Sequence, residues 1–442
     1  MKIAVAGTGY VGLVTGVALA HIGHNVTCVD VDENKIEKMK KGISPIYEKD
    51  LEKLMSENKS RLSYTTNYKN AYMDAEVIFI GVGTPERADG SANLDYVYSV
   101  AEQIADSIRR DCVVVVKSTV PIGTNDEVEK YLKSHVKKGI NVYVASNPEF
   151  LAQGTAVRDT LYASRIVVGT EDEEAKKIME KVYEPLTKDP YNVPYISMNR
   201  KSAEMVKYAS NDFLALKISY VNEIANFCEK VGANIEDVTL GMGYDSRIGN
   251  KFLKAGIGYG GSCFPKDTKA LHWLSKELDV ELKTVKACIE INKVQKIKMY
   301  EKLKNDFKSL KGLNVAVLGL TFKPGTDDMR EAPSIDNIEL LLDAGANVNV
   351  YDPIGIEKFK SIISRKITDE EATKRINYFN KIGDAISNCD AAMIMTEWPD
   401  IVNYDIKNFE KLMKTPNIYD GRNCYSLEKT NETNIIYKSV GR

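Results

Sequence analysis

Short apolar runs alternate with longer amphipathic stretches along the chain, and glycine or proline separates many of them. Residues 2–6 (KIAVA) form a short, partly β-branched apolar run, which is typical of a buried parallel strand. The motif GTGYVG follows, then a helix-like stretch ending near Gly23 and a second strand, NVTCVD, ending at Asp30. Strands that alternate with helices in this way predict an α/β fold on a doubly wound parallel sheet.

Gly7, Gly9 and Gly12 have the GxGxxG spacing of a dinucleotide-binding turn, although a purely structural turn is the alternative. In that geometry the first glycine makes the turn, the second admits a pyrophosphate and the third lets helix and strand pack closely. Asp30 follows Gly7 by 23 residues, and its carboxylate would bind ribose hydroxyls and repel a 2′-phosphate, which favours NAD over NADP. Lys35 either reaches the same ribose or phosphate, or is a solvated surface lysine.

Polar residues also stand where three further predicted strands end. They are Thr84 after VIFIGVG, Ser118 and Thr119 after VVVVK, and Asn147 and Glu149 after NVYVAS. Ligands of open α/β sheets bind at the carboxyl ends of the strands, so these residues predict one crevice.

The strand–glycine–helix pattern recurs near residue 314, where NVAVLGLTFKPGTDD begins. The later segment LLDAGANVNVYDP matches the earlier LAHIGHNVTCVDVD, with Asp352 in the place of Asp30. Two related α/β domains are therefore expected at the two ends of the chain. The second copy lacks GxGxxG and is not expected to bind NAD in the same way; its basic residues Lys323, Arg330 and Arg422 suit another phosphorylated ligand.

Helical sequence lies between the two copies. Residues 200–231 contain no proline or glycine, and Val206, Phe213, Tyr220 and Phe227 recur every seven residues. This pattern predicts one helix of about 45 Å, closed by Gly232, whose apolar stripe is either core or a subunit interface. A second helix is predicted over residues 282–310. The resulting division is residues 1–199 for the NAD-binding domain, 200–310 for a central helical domain and 311–442 for the second Rossmann-like domain.

The composition excludes several classes of protein. Of 442 residues, 43% are apolar and 28% charged, and 60 basic residues oppose 62 acidic ones, which is typical of soluble globular chains. The near-neutral balance argues against a nucleic-acid binder and against an acidic disordered chain. Residues 3–29 lack charged side chains, but five glycines and two histidines interrupt them, so neither a signal peptide nor a membrane anchor is expected.

Cysteines and histidines narrow the chemistry. Seven scattered cysteines without a CxxC pair argue against a disulfide scaffold and a zinc site, and favour reduced thiols in the cytoplasm. Four histidines form no recognisable triad or cluster, so no metal site is expected.

The segment GIGYGGSCFPKD, residues 256–267, contains the best candidate nucleophile. Four glycines precede Cys263, so substrate can approach the backbone, and the nearby ammonium of Lys266 favours a thiolate. The other six cysteines are interpreted as small buried hydrophobic residues. Lys207 and Asn211, one turn apart on the long helix, either stabilise an oxyanion or lie exposed on its surface.

With these motifs, the chain resembles the UDP-glucose 6-dehydrogenase family over nearly its whole length. GTGYVG, KSTVP, NPEFLAQGTA, KYASN, GIGYGGSCFPKD, FKPGTDDMRE and YDGRN occur in that family's order and spacing. GDP-mannose dehydrogenases share the glycine–cysteine motif, but DGRN and RIGNKFLKAGIGYGG resemble the UDP-glucose branch. The UDP-N-acetylmannosamine branch typically has histidine where this chain has Ser262.

The resemblance implies oxidation of UDP-glucose to UDP-glucuronate with two NAD, through a thiohemiacetal and a thioester on Cys263. Lys207 and Asn211 are the implied oxyanion stabilisers. Thr119 and Glu149 would hold a water that acts as base or relay, and Asp267 would orient Lys207 and the hydrolytic water.

The resemblance also implies binding residues. Those for NAD are Gly7, Gly9, Tyr10, Val11, Gly12, Asp30, Lys35, Thr84, Thr119, Gln153, Lys266 and Arg330. Those for the substrate are Glu149, Phe150, Leu151, Gln153, Lys207, Asn211, Arg247, Phe252, Leu253, Lys254, Ala255, Gly256, Gly260, Lys323 and Arg422. Gln153 stands where the family usually has glutamate, so an acid–base role at that position is in doubt.

Three alternatives remain open on the sequence. The same chemistry on GDP-mannose or UDP-N-acetylmannosamine is the nearest, followed by a two-electron 3-hydroxyacid dehydrogenase and a non-catalytic NAD sensor. The family suggests a homodimer or larger oligomer, with the long helix as the interface.

Overall fold

The computed structural model describes all residues, 1–442. The chain divides into two compact units, Met1–Ser210 and Asn211–Arg442, and each contains its own sheet. The fold class predicted from the sequence is confirmed: two Rossmann-like α/β domains, with helical sequence and one long helix between their sheets along the chain.

The first sheet has eight strands in the order β3-β2-β1-β4-β5-β6-β7-β8. Their bounds are β1 (Lys2–Ala6), β2 (Asn25–Val29), β3 (Leu62–Thr65), β4 (Val77–Ile80), β5 (Cys112–Val116), β6 (Val142–Ser146), β7 (Ile166–Gly169) and β8 (Tyr195–Met198). The sheet is parallel, as predicted, except at one place: β7 pairs with β6 in the antiparallel sense through Ser146 and Gly169.

The helices of this unit cover both faces of the sheet. They are α1 (Tyr10–His21), α2 (Glu33–Lys40), α3 (Leu51–Glu57), α4 (Tyr68–Met73), α5 (Asp95–Ser107), α6 (Thr124–His135), α7 (Ala156–Leu161), α8 (Glu173–Thr187) and the start of α9 (Arg200–Val231). Ile3 and Val5 of β1 pack in one apolar core, whereas Ala4 and Ala6 pack in another. Burial on both faces explains why residues 3–6 of this strand are all apolar, whereas Lys2 at its start is exposed.

The second sheet has six parallel strands in the order β11-β10-β9-β12-β13-β14. Their bounds are β9 (Asn314–Leu318), β10 (Asn347–Tyr351), β11 (Ile376–Phe379), β12 (Ala391–Ile394), β13 (Asn417–Asp420) and β14 (Ile436–Lys438). The helices of the unit, after the rest of α9, are α10 (Ile235–Gly243), α11 (Phe264–Glu277), α12 (Lys283–Gln295), α13 (Lys298–Asp306), α14 (Pro333–Asp343), α15 (Ile356–Lys366), α16 (Glu370–Thr373), α17 (Ile382–Ile386), α18 (Pro399–Val402), α19 (Lys407–Leu412) and α20 (Leu427–Asn431).

The internal repeat predicted from the sequence is confirmed in the strand order, since β1–β6 and β9–β14 follow the same sequence of neighbours. The matched aspartates also make equivalent contacts. Asp30 Oδ2 accepts the N–H of Thr8 at 2.8 Å, and Asp352 Oδ2 accepts the N–H of Leu320 at 2.7 Å. Each carboxylate therefore binds the turn that follows the first strand of its own domain.

The single helix predicted over residues 282–310 is wrong. The structure has two helices there, α12 and α13, which are interrupted at residues 296–297, and the second ends at Asp306. The amide of Asn337 donates to the carbonyl of Lys296 at 2.8 Å, and Lys296 Nζ pairs with Glu331 at 2.5 Å. These contacts hold Lys296 in place from outside the helix, and no proline or glycine marks the break in the sequence.

The long helix α9 is confirmed with the predicted bounds, and Gly232 ends it at φ +74°. Phe213, Tyr220 and Phe227 are 61%, 47% and 63% exposed, so the core interpretation is wrong for these three residues, whereas Val206 is half-buried. None of the helices is both long and apolar enough to cross a lipid bilayer.

Candidate active site

The turn after β1 has no room for side chains at two of its three glycines. A Cβ at Gly12 would lie 2.0 Å from the Gly7 carbonyl oxygen, and one at Gly7, where φ is +91°, would lie 2.8 Å from the Gly81 oxygen. A Cβ at Gly9 would meet no atom within 4 Å, so this position is open. Because α1 begins at Tyr10, the free N–H groups of a helix start follow the turn directly. The cradle therefore fits the pyrophosphate of a dinucleotide.

Asp30 lies beside this turn. Oδ2 accepts the Thr8 N–H at 2.8 Å and the Thr8 hydroxyl at 2.5 Å, and Oδ1 accepts the Asp32 N–H at 3.0 Å. Burial alone would raise the pKa of Asp30, but the hydrogen bonds from Thr8 and Asp32 hold the pKa below its usual value. Lys35 Nζ stands 3.8 Å from Oδ2 and is partly exposed. Asp30 is therefore ionised at neutral pH, as recognition of an unphosphorylated ribose requires.

A cavity of about 300 Å³ adjoins the turn and Asp30. The cofactor residues predicted from the sequence that line it are Gly7, Gly9, Asp30 and Lys35. Its other walls include Val31, Gly81, Val82, Tyr96, Ser99 and Gln103, which sequence reasoning missed. Gly81 and Val82 belong to VIFIGVG, from which only the following Thr84 was selected, and the other four belong to no motif.

Two more predicted residues lie together at the ends of neighbouring strands. Thr84 follows β4 and Thr119 follows β5, and the Thr84 hydroxyl donates to the Thr119 carbonyl at 2.8 Å. This bond orients both loops at the carboxyl edge of the sheet, where the crevice was expected.

Lys207 and Glu149 form a buried ion pair. Lys207 Nζ donates to Glu149 Oε1 and to the Glu149 carbonyl, each at 2.8 Å, and the two side chains are 4% and 6% exposed. The exposed-lysine interpretation of Lys207 is therefore wrong. Glu149 also accepts the N–H of Leu151 at 2.8 Å, which folds the loop after β6 around this pair. The Lys207 ammonium lies 5.6 Å from the centre of the Phe150 ring. Gln153, in the same loop, is buried.

Sequence reasoning missed two cations in this region. Lys117 donates to Asn147 Oδ1 at 2.9 Å, and burial lowers the pKa of Lys117 to about 8, with opposing effects from Glu149 and Lys207. Arg165 stacks 3.7 Å from the centre of the Phe150 ring. Lys117 could have been found from the sequence, because it is the first residue of the motif KSTVP. Arg165 lies in no motif, so nothing in the sequence pointed to it.

In the second unit, Asn211 and the residues of the cysteine motif converge. Asn211 Nδ2 donates to Asp267 Oδ2 at 2.6 Å, and Lys266 Nζ donates to Asp267 Oδ1 at 2.5 Å. Cys263 occupies the position immediately before α11, and its carbonyl accepts the Asp267 N–H at 2.9 Å. Ser262 Oγ lies 3.6 Å from Cys263 Sγ. The Cys263 thiol thus sits within one helical turn of the buried Asp267 carboxylate, which an amide and an ammonium hold in place.

The remaining cysteines match the structural interpretation with one exception. Cys28, Cys112, Cys228, Cys288 and Cys389 are buried, and burial raises the pKa of Cys28 to about 12. Cys424 is only half-buried, although burial raises its pKa as well.

The glycines before Cys263 are required by close backbone contacts. A Cβ at Gly260 would lie 2.5 Å from the Glu331 oxygen, and one at Gly256 would lie 3.1 Å from the Gly421 oxygen. Gly256 also donates its N–H to Asn222 at 2.8 Å. The glycines therefore bring the motif against loops of the second sheet.

Arg422 joins the same loops. Its Nε donates to the Met395 carbonyl at 2.9 Å, and Nη2 donates to the Phe322 carbonyl at 3.2 Å. Lys323 Nζ lies 5.7 Å from the centre of the Phe322 ring. The predicted basic residues Lys323 and Arg422 thus lie close together at the carboxyl ends of β9 and β13.

The other predicted residues are more dispersed. Arg330 pairs with Asp328 at 2.6 Å and is 63% exposed, and Arg247 pairs with Asp245 at 2.6 Å and is 87% exposed. In the segment 252–255, Leu253 and Ala255 are buried, whereas Phe252 and Lys254 are exposed. Val11 is half-buried within α1.

Comparison with known proteins agrees with this arrangement. Residues 1–187 match the NAD binding domain of the UDP-glucose/GDP-mannose dehydrogenase family, 201–294 its central domain and 316–427 its UDP binding domain. UDP-glucose 6-dehydrogenase YwqF of Bacillus subtilis (strain 168) is 47% identical over 100% of this chain and 98% of its own.

Solved structures agree as well. A UDP-glucose dehydrogenase from Pyrobaculum islandicum has a TM-score of 0.89 at 36% identity, over 99% of this chain and 96% of its own. A UDP-D-ManNAc dehydrogenase from Pyrococcus horikoshii has a TM-score of 0.86 at 26% identity, over 100% and 99%. The chain therefore belongs to the UDP-glucose/GDP-mannose dehydrogenase family.

Proposed function

We propose that this protein oxidises UDP-glucose to UDP-glucuronate, with Cys263 as the covalent nucleophile. The observation that carries the proposal is the placement of Cys263 at the start of α11, one turn from the bonded pair Asn211 and Asp267. The Bacillus subtilis relative is a UDP-glucose 6-dehydrogenase and is 47% identical over the full chain. This similarity supports UDP-glucose as the substrate, rather than GDP-mannose or UDP-N-acetylmannosamine.

NAD, when bound, supplies the hydride acceptor for each of the two oxidations. The glycine turn would hold its pyrophosphate and Asp30 its adenosine ribose, because this cradle is open at Gly9 and its carboxylate is ionised. Thr84, Thr119, Gln153, Lys266 and Arg330 complete the proposed set of contacts.

The first oxidation requires removal of the C6 hydroxyl proton. In the proposal, Thr119 and Glu149 hold the water that takes this proton, and the ion pair with Lys207 fixes the orientation of the Glu149 carboxylate. The product of this step is an aldehyde at C6, which stays bound.

The second oxidation is the covalent half. The Cys263 thiolate adds to the aldehyde carbon, and Lys207 and Asn211 stabilise the resulting oxyanion, a role that can supply ~3 kcal/mol per donor. Oxidation of this thiohemiacetal gives a thioester. Water, oriented by Asp267, then cleaves the C–S bond and restores the thiol, and Asp267 also orients Lys207 in the proposal.

The substrate is proposed to bind through its uridine diphosphate to loops of the second unit. Lys323 and Arg422 lie close together there, and two cations suit a diphosphate. The further proposed contacts are Glu149, Phe150, Leu151, Gln153, Arg247, Phe252, Leu253, Lys254, Ala255, Gly256 and Gly260.

Assembly, location and domain limits are part of the proposal. The exposed aromatic stripe Phe213, Tyr220 and Phe227 supports a homodimer formed through α9. Seven cysteines without a disulfide support the cytoplasm. The proposed limits of the three domains stay at 199/200 and 310/311.

A turnover experiment tests the reaction. Purified protein with NAD and separately UDP-glucose, GDP-mannose or UDP-N-acetylmannosamine should form two NADH per UDP-glucose consumed and little with the others. One NADH per substrate would indicate a two-electron dehydrogenase, and none with any sugar nucleotide would indicate an NAD sensor.

Variants of Cys263 test the covalent step. Cys263→Ser should bind both ligands, turn over slowly and retain an ester-linked sugar, because an alkoxide is harder to form and leaves less readily than a thiolate. Cys263→Ala should lose turnover and retain nothing, while Cys424→Ala, at a half-buried cysteine outside the motif, should behave as wild type. Intact-protein mass spectrometry reads each outcome. Two NADH per sugar at the wild-type rate from Cys263→Ala would refute covalent catalysis at this residue.

A further inference from the structure

Asp212 is a buried carboxylate without a hydrogen-bond partner in the protein. It is 7% exposed, and both of its oxygens are inaccessible and unpaired. It lies on the buried face of α9 in the second unit, in line with Ala215, Ser219 and Asn222, which are at most 1% exposed. An unpaired buried carboxylate is costly, so its position requires an explanation.

The charged neighbour of Asp212 is Asp267. Asp267 is 1% exposed, and its carboxylate accepts hydrogen bonds from the Asn211 amide and the Lys266 ammonium. The other titratable groups that interact with Asp212 are Tyr259, in the loop before Cys263, and Cys288 of α12. Neither is a cation, so nothing around Asp212 compensates its charge except the donors already bound to Asp267.

Two buried carboxylates close together do not both ionise readily. Burial, and then the charge of Asp267, raise the pKa of Asp212 to about 7. Because only Asp267 has donors, Asp212 is the member of the pair that carries the proton at rest.

We propose that Asp212 and Asp267 form a carboxyl pair holding one exchangeable proton, in which Asp212 is a positioning residue that tunes Asp267 as base for the hydrolytic water. The proposal rests on the proposed function. In the hydrolytic step a proton passes from water to Asp267, the hydroxide adds to the thioester carbon, and the C–S bond breaks to leave the Cys263 thiolate. When Asp212 is ionised, its charge raises the proton affinity of Asp267, and this step accelerates.

The pH dependence of protein stability tests, without any turnover, whether the Asp212–Asp267 pair holds one proton and one negative charge. The unfolded chain ionises Asp212 near pH 4, whereas the folded chain keeps it protonated up to about pH 7. Stability of the wild type therefore falls as the pH rises from 4 to 7, and this cause adds nothing further above 7. Asp212→Asn lacks the effect, so its Tm should exceed that of the wild type by ~2 °C or more at pH 8 and by less at pH 5.

Asp237→Asn makes the same change at an exposed position in the first turn of α10 and should change the Tm by the same small amount at pH 5 and pH 8. Asp212→Ala provides a second variant: it creates a small cavity, yet its Tm relative to wild type should also rise between pH 5 and pH 8. If the difference in Tm between wild type and Asp212→Asn were the same at pH 5 and pH 8, the proposal that the two carboxyl groups hold one proton would be wrong.

Decay of the covalent adduct tests the tuning of Asp267. After mixing with UDP-glucose and NAD and timed quenching, mass spectrometry follows loss of the sugar from Cys263. The decay rate should rise between pH 6 and pH 8.5 by about tenfold more in wild type than in Asp212→Asn, because the amide resembles only the protonated acid. At pH 6 the two rates should agree, and the KM for UDP-glucose should be unchanged.

If the decay rate of the adduct depended on pH equally in wild type and Asp212→Asn, the proposal that Asp212 tunes Asp267 would be refuted. Absence of any adduct in the wild type would instead refute the proposed function, and the stability comparison would still decide whether the charge is shared.

Discussion

Asp30 illustrates how much a single carboxylate in the cofactor site depends on its neighbours. Thr8 and the backbone of Asp32 hold it ionised and aimed at the glycine turn. The sequence predicted its role from the distance to Gly7, but the partner Thr8, inside the motif itself, emerged only from the structure.

Asp30→Ala should raise the KM for NAD by about tenfold and narrow the preference for NAD over NADP. The reason is that the ribose hydrogen bonds and the repulsion of a 2′-phosphate are lost together, at ~1–2 kcal/mol for the hydrogen bonds. Initial rates with each cofactor measure both effects. Glu33→Ala, at an exposed residue nearby, is the control and should keep the wild-type preference; an unchanged preference in Asp30→Ala would place the cofactor elsewhere.

At the scale of elements, the start of α1 depends on Gly12. Its missing side chain allows the helix to approach the turn so closely that a Cβ would lie 2.0 Å from the Gly7 oxygen and 3.2 Å from the Gly81 oxygen. The obstacles are backbone atoms, which cannot move aside as a flexible side chain would.

Gly12→Ala should therefore destabilise the protein by roughly 2–3 kcal/mol and weaken NAD binding, since the helix must shift away from the turn. Gly241→Ala, inside α10, makes the same change where no atom lies within 4 Å, and should be neutral or stabilise by ~0.5–1 kcal/mol. Denaturant unfolding compares the two variants. Equal stabilities would contradict the packing argument.

At the scale of the whole molecule, three exposed aromatic rings in heptad register on α9 are unusual for an isolated chain. We expect light scattering of the wild type to give about twice the 49.3 kDa chain mass. Replacing Phe213, Tyr220 and Phe227 together by lysine should yield a monomer through charge repulsion in the interface. Leu278→Lys, at a 64% exposed apolar residue of the second unit, should stay dimeric; a wild-type mass of 49.3 kDa would exclude the dimer.

The order of neighbouring residues along the chain was sufficient to predict the strand–glycine–helix units, the limits of α9 and the duplicated domain. Glycine spacing, apolar runs and helix ends express short-range geometry, and short-range geometry can be inferred from neighbouring residues. The cysteine motif belongs to this class, and so does Asp30.

Only the tertiary structure decided which distant residues meet. The ion pair of Lys207 with Glu149, the bond of Asn211 to Asp267, the break at residues 296–297 and the antiparallel β7 all arise from contacts between remote segments. Asp212 is the clearest case: its sequence position beside Asn211 predicts nothing, and its missing partners follow from α9 packing it away from water. Long-range packing determines burial, and burial determines the protonation of such groups.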